Sequence, residues 1–262
     1  MEHAESLQIA LDGMILRGTV GSTVHGLHLE AQDDRDEMGV AIEPPDRVVG
    51  LERWEHHVER TQPEGVRSGP GDLDLVVYSA RKFCRLACRG NPTVLLLLFT
   101  FERRVETELG AELRALAPAF LSRQVGDRYR GYLRTQKERL IGSRGQRRVN
   151  RPELIEAHGF DTKYGMHVLR LAVQGREMLE TGRLELPIGE PERSRIRAVR
   201  EGQVSYEESV AWIEQAERDL ARAHERSRLP DEPDRARVDA WLVEAYQRSW
   251  RERGLVPVSL GR

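Results

Sequence analysis

Two stretches decide the fold of this chain: MILRGTVGSTVHG at positions 14–26 and DDRDEMGV at positions 33–40. The first begins with an apolar, β-branched run that stops at a Gly-Ser pair, which predicts a buried strand followed by a turn. The second stretch contains the start of a strand predicted over 36–43. Pro44 and Pro45 end this strand. The two stretches therefore predict a strand, a Gly-Ser turn and an acidic strand in that order.

The rest of the chain changes from strands to helices near residue 78. Further strands are predicted over 54–61 and 72–78, after which the apolar spacing shifts from two to about 3.6 residues. The predicted helices cover 79–88, 91–99, 107–121, 126–140, 152–158, 161–181, 191–200, 205–228 and 233–251. We therefore predict an α+β fold in which a small mixed sheet, within a core of residues 1–105, is followed by a mostly helical region, 106–262.

Composition excludes several classes of protein. The 262 residues carry a net charge of −2, with 39% hydrophobic and 32% charged residues, which is not the profile of a disordered chain. The longest apolar run, 94–99, is far shorter than the roughly 20 residues of a membrane span, and the acidic N-terminus is unlike a signal peptide. We expect a cytoplasmic protein with no membrane association, in which Cys84 and Cys88 are buried thiols.

Three carboxylates are candidates for holding a divalent metal. Asp34 and Asp36 alternate on a strand and therefore project to the same side. Ionised carboxylates a few ångströms apart repel each other unless a cation lies between them, and Mg²⁺ prefers such oxygen ligands. A later strand offers Asp74, with Asp72 on the same face as an alternative. The competing interpretation is a solvated acidic turn, and two neighbouring acids are expected in solvent: Asp33 and Glu37.

The Gly21-Ser22 turn is a candidate phosphate-binding element. Glycine lets the backbone approach a ligand closely, and a helix that starts here would offer free N–H groups to an anion. His25 either caps this turn or merely closes it. Taken alone, such a pair is more typical of a strand-to-helix turn without a ligand.

A cationic stripe is predicted on the helix that begins near Asp161. Lys163, His167 and Arg170 are spaced four and three residues apart, so they project from one side of the helix. Lysine as a point charge and arginine as a planar fork suit phosphate oxygens. The alternative is a solvated helix face.

A basic stretch, 123–151, holds ten basic and two acidic residues. Arg147 and Arg148 lie in a predicted loop, where they would bind a triphosphate or a nucleic-acid backbone, and Tyr129 and Tyr132 could stack on bases. The alternative is a solvated helix whose charge is balanced by acids elsewhere. Another candidate, the adjacent pair His56-His57, points to opposite faces of a strand and is not expected to bind a metal.

The order of these elements resembles the DNA polymerase β nucleotidyltransferase superfamily. The motifs Gly21-Ser-x-x-His25-Gly and Asp34-Arg-Asp-Glu-Met-Gly-Val40 look like its RNA-repair-pathway, or RNA-ligase-associated, branch. The segment from His158 to Arg170 is similar to a downstream motif of the same branch. The resemblance spans about residues 14–182.

The resemblance implies an enzyme that transfers a nucleotidyl group from a nucleoside triphosphate to an acceptor hydroxyl and releases pyrophosphate. Asp34, Asp36 and Asp74 would hold two Mg²⁺ or Mn²⁺ ions, consistent with the two-metal scheme of in-line phosphoryl displacement. The turn at Gly21 and Ser22 would hold phosphates. The acceptor implied is an RNA or DNA 3′ end.

Two other functions remain open from the sequence. The same chemistry could act on a protein or small-molecule hydroxyl, or the chain could be a non-catalytic nucleotide-binding or antitoxin-like partner protein. The sequence does not indicate which triphosphate is used, whether a template is read, or the oligomeric state.

Overall fold

The computed structural model describes residues 2–28, 35–63, 66, 68–69, 71–140 and 151–255. A five-stranded mixed sheet is followed by a mostly helical C-terminal region, which confirms the predicted α+β class. The strands are β1 (Met14–Thr19), β2 (Arg35–Ala41), β3 (His56–Arg60), β4 (Leu73–Ser79) and β5 (Arg103–Glu106). The helices are α1 (His3–Asp12), α2 (Gly21–Val24), α3 (Pro45–Val49), α4 (Ala80–Ala87), α5 (Pro92–Phe99), α6 (Glu108–Ala115), α7 (Ala117–Phe120), α8 (Gln124–Leu140), α9 (Pro152–His158), α10 (Thr162–Thr181), α11 (Glu192–Arg200), α12 (Tyr206–Arg226) and α13 (Arg235–Glu252).

The order of strands in the sheet is β3-β4-β2-β1-β5. β2 and β4 are parallel, whereas β1 pairs antiparallel with β2 and with β5, and β3 pairs antiparallel with β4. α2, a single short helical turn, connects β1 to β2, so the Gly-Ser turn lies directly between the two strands predicted to flank it. This topology places the acidic strand β2 in the middle of the sheet.

One face of the sheet is covered by α1. Ile9 and Ala10 of this helix form a buried cluster with Trp54 and with Leu75 and Val77 of β4. Since alternate strand residues point to opposite faces, Asp74, which precedes Leu75, projects from the other face. The acidic candidates and α1 are therefore on opposite sides of the sheet.

The chain forms two compact units. The first comprises Met1–Cys88, Thr93–Phe120 and Pro233–Arg262 and contains the sheet, and the second comprises Arg89–Pro92 and Leu121–Glu232 and contains α8 to α12. The first unit is thus discontinuous in sequence, because α13 belongs to it. The functional boundary near residue 105 stays a prediction.

α13 is fixed to the end of β2 by three hydrogen bonds. The Tyr246 hydroxyl donates to Oε2 of Glu43 at 2.7 Å, and Nε1 of Trp250 donates to the Glu43 carbonyl at 2.8 Å. Nη1 of Arg253 donates to the carbonyl of Ile42 at 2.8 Å. Glu43 is fully buried, and this burial raises the pKa of its carboxyl group above the ordinary value.

The second unit is built around α10, which packs against α8, α11 and α12. At Gly175 a Cβ atom would lie 2.9 Å from Cβ of Tyr129, so the absence of a side chain lets α8 approach closely. Tyr129 is only 1% exposed, and burial raises the pKa of its hydroxyl. The suggestion that Tyr129 stacks on bases is therefore wrong, because its ring belongs to the core.

Several elements differ from those predicted. α1, α3 and β5 were not predicted, and the helix predicted over 107–121 is divided into α6 and α7.

Cys84 and Cys88 are buried, as expected, and this burial raises the pKa of each thiol. Over the described residues, no helix is both long enough and apolar enough to cross a membrane.

Candidate functional site

Asp36 and Asp74 lie opposite each other on parallel strands. The pairing of β2 with β4 puts their Cα atoms in direct register, so both side chains project from the same face. Adjacent strands are about 4.8 Å apart. Two unit charges at about 5 Å repel by roughly 3 kcal/mol at an effective dielectric constant near 20. This juxtaposition favours a nearby cation, a requirement that Arg60 meets in part on the Asp74 side. Asp34, the other half of the predicted pair, lies outside the described residues.

The glycine turn contacts the same carboxylate. Gly21 has φ +74°, and a Cβ atom on it would lie 2.1 Å from Oδ2 of Asp36. The backbone N–H of Val20 donates to the Asp36 carbonyl at 2.9 Å, which holds the turn against β2. Only glycine fits here, because the backbone is in the left-handed region and because a side chain would collide with Asp36. The structure therefore brings the predicted turn and one predicted metal ligand together.

The rest of the turn is short and well packed. The backbone N–H of Leu27 donates to the Ser22 carbonyl at 3.1 Å, and that of Gly26 donates to the Thr23 carbonyl at 3.0 Å. His25 ends α2 and is 3% exposed. A buried position at the end of the turn agrees with a residue that closes it. A direct role for His25 in substrate binding remains a prediction.

Three donors orient the Asp74 carboxylate. Nε2 of Gln62 donates to Oδ1 at 3.0 Å, and the hydroxyl of Ser68 donates to Oδ2 at 2.9 Å. Nε of Arg60, on β3, lies 3.3 Å from Oδ1. A carboxylate has about four acceptor positions, so these contacts fix the group while leaving capacity for a further ligand. Such supporting contacts are what a metal-binding carboxylate requires.

Asp72, the alternative third acid, has contacts that stabilise a turn. Its Oδ1 accepts a hydrogen bond from the Thr61 hydroxyl at 3.0 Å, and its Oδ2 accepts one from the backbone N–H of Gly69 at 2.9 Å. Both partners belong to the connection between β3 and β4. These contacts, with the register of Asp74 opposite Asp36, make Asp74 the better candidate.

Glu37 is not in solvent, which corrects the expectation from the sequence. Its side chain is 2% exposed and lies on the sheet face opposite Asp36. Nε of Arg17 is 2.5 Å from Oε2 of Glu37, and Nε of Arg35 is 3.1 Å from Oε1. A buried carboxylate needs such partners, and two arginines on neighbouring strand positions supply them.

The second unit contains the predicted cationic stripe. Asp161 caps α10 by accepting hydrogen bonds from the backbone N–H groups of Lys163 and Tyr164, so the helix starts where predicted. Burial lowers the pKa of His167 well below its ordinary value, and nearby Arg170 and Lys163 lower it further. His167 is therefore neutral at physiological pH and lies among cations.

Two further arginines extend this group of positive charges. Arg151 and Arg200 also lower the pKa of His167, so four cations act on one imidazole. Burial lowers the pKa of Arg170 itself to about 10, and its Nη1 donates to Oε1 of Gln174 at 2.8 Å. Arg151 is paired with Asp161, with Nη1 to Oδ2 at 3.1 Å. Such a concentration of positive charge favours a bound anion.

A known protein family matches nearly the whole chain. Residues 2–244 match RlaP, the RNA repair pathway DNA polymerase beta family. The chain belongs to this family. This confirms the resemblance inferred from the two acidic strands and the glycine turn, and it shows that the RlaP-family chain is a nucleotidyltransferase-like protein.

The similarity to a solved structure is weak. A crystal structure of a nucleotidyltransferase-like protein from Exiguobacterium sibiricum 255-15 is 14% identical, with 84% of this chain and 71% of that chain covered and a TM-score of 0.30. No curated protein matches the chain.

The basic stretch of the RlaP-family chain is partly balanced by acids. Nζ of Lys137 is 2.5 Å from Oε2 of Glu217, and Nη1 of Arg123 is 3.5 Å from Oδ1 of Asp231. Tyr132 is 38% exposed, and its hydroxyl accepts a hydrogen bond from an asparagine side chain. This supports in part the alternative of a charge-balanced helix. Arg147 and Arg148 lie outside the described residues.

The residues that support the site were missed in the sequence. Arg60, Gln62 and Ser68 reach Asp74 only because β3 pairs with β4 in one particular register. Arg200 approaches His167 from a different helix. No local pattern signals such pairings, since each depends on contacts between distant segments.

Proposed function

We propose that this RlaP-family protein is a metal-dependent nucleotidyltransferase. It transfers a nucleoside monophosphate from a nucleoside triphosphate to an acceptor hydroxyl and releases pyrophosphate. The observation that carries the proposal is the in-register pair of Asp36 and Asp74 with the Gly21 turn packed against Asp36.

The residues present fit a pair of Mg²⁺ or Mn²⁺ ions. Asp36 and Asp74 offer hard oxygen ligands on one face of the sheet, and we propose Asp34 as the third ligand. Ions of this kind stabilise the negative charge of the attacking and leaving oxygens in phosphoryl transfer. The contacts of Arg60, Gln62 and Ser68 keep the Asp74 carboxylate in a fixed orientation for this purpose.

We assign the triphosphate to cationic and backbone groups of the chain. The turn at Gly21 and Ser22 exposes backbone to phosphate oxygens, and His25 closes that turn. Lys163, His167 and Arg170 would bind phosphate groups of the substrate, because cations surround the imidazole on this helix. We propose the same for two arginines of the adjoining basic segment: Arg147 and Arg148.

The proposed acceptor is an RNA or DNA 3′ end. The family is an RNA repair pathway family, and the stretch 123–151 is rich in arginine. Binding through phosphate contacts weakens steeply with salt, because bound counterions are released. Transfer to a protein or small-molecule hydroxyl would lack this dependence. A cytoplasmic location, where such substrates occur, completes the proposal.

The test is incorporation of labelled nucleotide. The protein is incubated with each labelled triphosphate, Mg²⁺ or Mn²⁺, and a mixed RNA and DNA pool, and the products are sized. Asp36→Asn is expected to abolish incorporation while the far-ultraviolet circular dichroism stays unchanged. Asp12→Asn, an exposed aspartate at the end of α1, is the matched control and should retain it.

Each outcome of this test decides between functions. Undiminished transfer by Asp36→Asn would remove the catalytic assignment. Triphosphate binding without any pyrophosphate release in the wild type would favour a non-catalytic nucleotide-binding protein. Label recovered in protein or in a small product, rather than in nucleic acid, would change the acceptor.

A further inference from the structure

Three potential metal ligands meet where α1 lies beside the edge strand β3. They are His3, the first residue of α1, and His57 and Glu59 of β3, and one ligand atom of each lies within 4.8 Å of the others. His57 and Glu59 are two residues apart on a strand, so they share a face. That face is the one covered by α1, and it is opposite the face of Asp36 and Asp74.

Two of the three distances between the donor atoms are close to those around a small metal ion. Nε2 of His3 is 2.9 Å from Oε2 of Glu59, and Nε2 of His57 is 3.1 Å from the same oxygen. A tetrahedral zinc ion with bonds of about 2.0–2.1 Å separates its ligand atoms by about 3.3 Å. The present contacts are hydrogen bonds in which an imidazole proton lies between nitrogen and oxygen. A metal ion would replace these protons once the ligand nitrogens of His3 and His57, which lie within 4.8 Å of each other, approached tetrahedral separation.

The ring of His57 is already held in a suitable orientation. Its Nδ1 is 3.1 Å from Oγ of Ser6, which in turn accepts a hydrogen bond from Nε1 of the buried Trp54 at 2.9 Å. While Nε2 donates to Glu59, Nδ1 accepts from the Ser6 hydroxyl; with a metal bound, Nδ1 would instead carry the proton and donate to Oγ of Ser6, which leaves the Nε2 lone pair for the metal. Metal-binding histidines usually have a partner of this kind on the second ring nitrogen.

The exposure of the cluster also suits a cation. The His57 side chain is 2% exposed, whereas that of His3 is 65% exposed. One side of the cluster is therefore rigid and the other is open to solvent, which gives an ion a way in and leaves room for water as a fourth ligand.

We propose that His3, His57 and Glu59 form a binding site for a transition-metal ion such as Zn²⁺, which fastens α1 to β3. Two imidazoles and one carboxylate select such an ion over Mg²⁺, which prefers oxygen ligands alone. The site is separate from the acidic pair on the other face of the sheet. It is a structural site, because α1 contributes Ile9 and Ala10 to the core beneath the sheet.

The test measures zinc binding by the full chain in excess Mg²⁺, which saturates the acidic pair. Isothermal titration should give one equivalent of Zn²⁺, and the midpoint of thermal unfolding should rise when zinc is added. His3→Ala and Glu59→Gln should each weaken binding by about tenfold or more and remove the thermal shift. Co²⁺ should give the visible absorption of a four-coordinate nitrogen and oxygen site in the wild type only.

Two controls separate this site from others. His56→Ala removes a histidine adjacent in sequence but on the opposite face, and it should leave zinc binding unchanged. Asp36→Asn should also leave it unchanged, whether or not the protein proves to be a nucleotidyltransferase. The proposal fails if the wild type takes up no zinc, if His3→Ala binds it as the wild type does, or if Asp36→Asn alone abolishes binding.

Discussion

Replacing Gly21 with alanine tests the link between the glycine turn and the acidic pair. The new Cβ atom would lie 2.1 Å from Oδ2 and 2.8 Å from Cβ of Asp36, whereas ordinary contacts begin near 3.4 Å. The turn and the carboxylate would have to separate by more than an ångström. The backbone would also be strained, because φ is +74°.

Both effects have an expected size. A residue with a side chain in the left-handed region loses about 1–2 kcal/mol of stability. A misplacement of about 1 Å in a catalytic arrangement lowers the rate by roughly 100-fold. We therefore expect Gly21→Ala to unfold at lower urea concentration and to incorporate labelled nucleotide about 100-fold more slowly at saturating Mg²⁺ and triphosphate.

Gly254→Ala provides the matched control. Gly254 has φ +65°, but a Cβ atom there would have nothing within 4 Å among the described residues. This variant should lose similar stability and keep its rate. If Gly21→Ala retains a rate within a few-fold of that of Gly254→Ala, then the turn does not position Asp36 for catalysis and the argument is wrong.

Three further predictions concern single side chains. Asp74→Asn should abolish incorporation, whereas Asp72→Asn should mainly lower stability by about 1 kcal/mol through its lost turn contacts, as steady-state assays and urea unfolding would show. Lys163→Ala should raise KM for the triphosphate more than it lowers kcat, because a phosphate contact contributes to binding before and during transfer; an unchanged KM would contradict this role. Burial raises the pKa of Glu43 above 4.5, so the folded wild type becomes less stable relative to Glu43→Gln as pH rises from about 4.5 towards neutrality. Urea unfolding at several pH values measures this. A difference in unfolding free energy between the two proteins that does not change with pH would refute it.

The sequence predicted well those features that depend on neighbours along the chain. The β-branched run before Gly21 and the acidic strand after it are local patterns, and both strands are present. Ser79 and Asp161 cap the helices they precede, since their side chains accept hydrogen bonds from backbone N–H groups two or three residues on. The family resemblance implies that Asp36 and Asp74 act together, but nothing in the sequence predicts their in-register pairing.

Features that depend on distant segments were not predictable. The alternation of β2 indicates that Glu37 and Asp36 face opposite ways, but not that arginines cover the face of Glu37. A tyrosine in a basic stretch, such as Tyr129, is typical of a nucleic-acid contact. Its ring is nevertheless buried, because Gly175 on another helix has no side chain and leaves space for it. α1 lacks a side-chain N-cap hydrogen bond, and its acidic sequence gave no clear signal of a helix.

The attachment of α13 to Glu43 has a consequence for how the protein is made. The sheet is encoded by the first 106 residues, but the side chains that satisfy the end of β2 come from residues 246–253. A ribosome must therefore translate the whole second unit before the first can be completed. Until then the buried carboxylate of Glu43 lacks its hydrogen bond from Tyr246. Shortened chains would therefore be less stable and more easily cleaved by proteases.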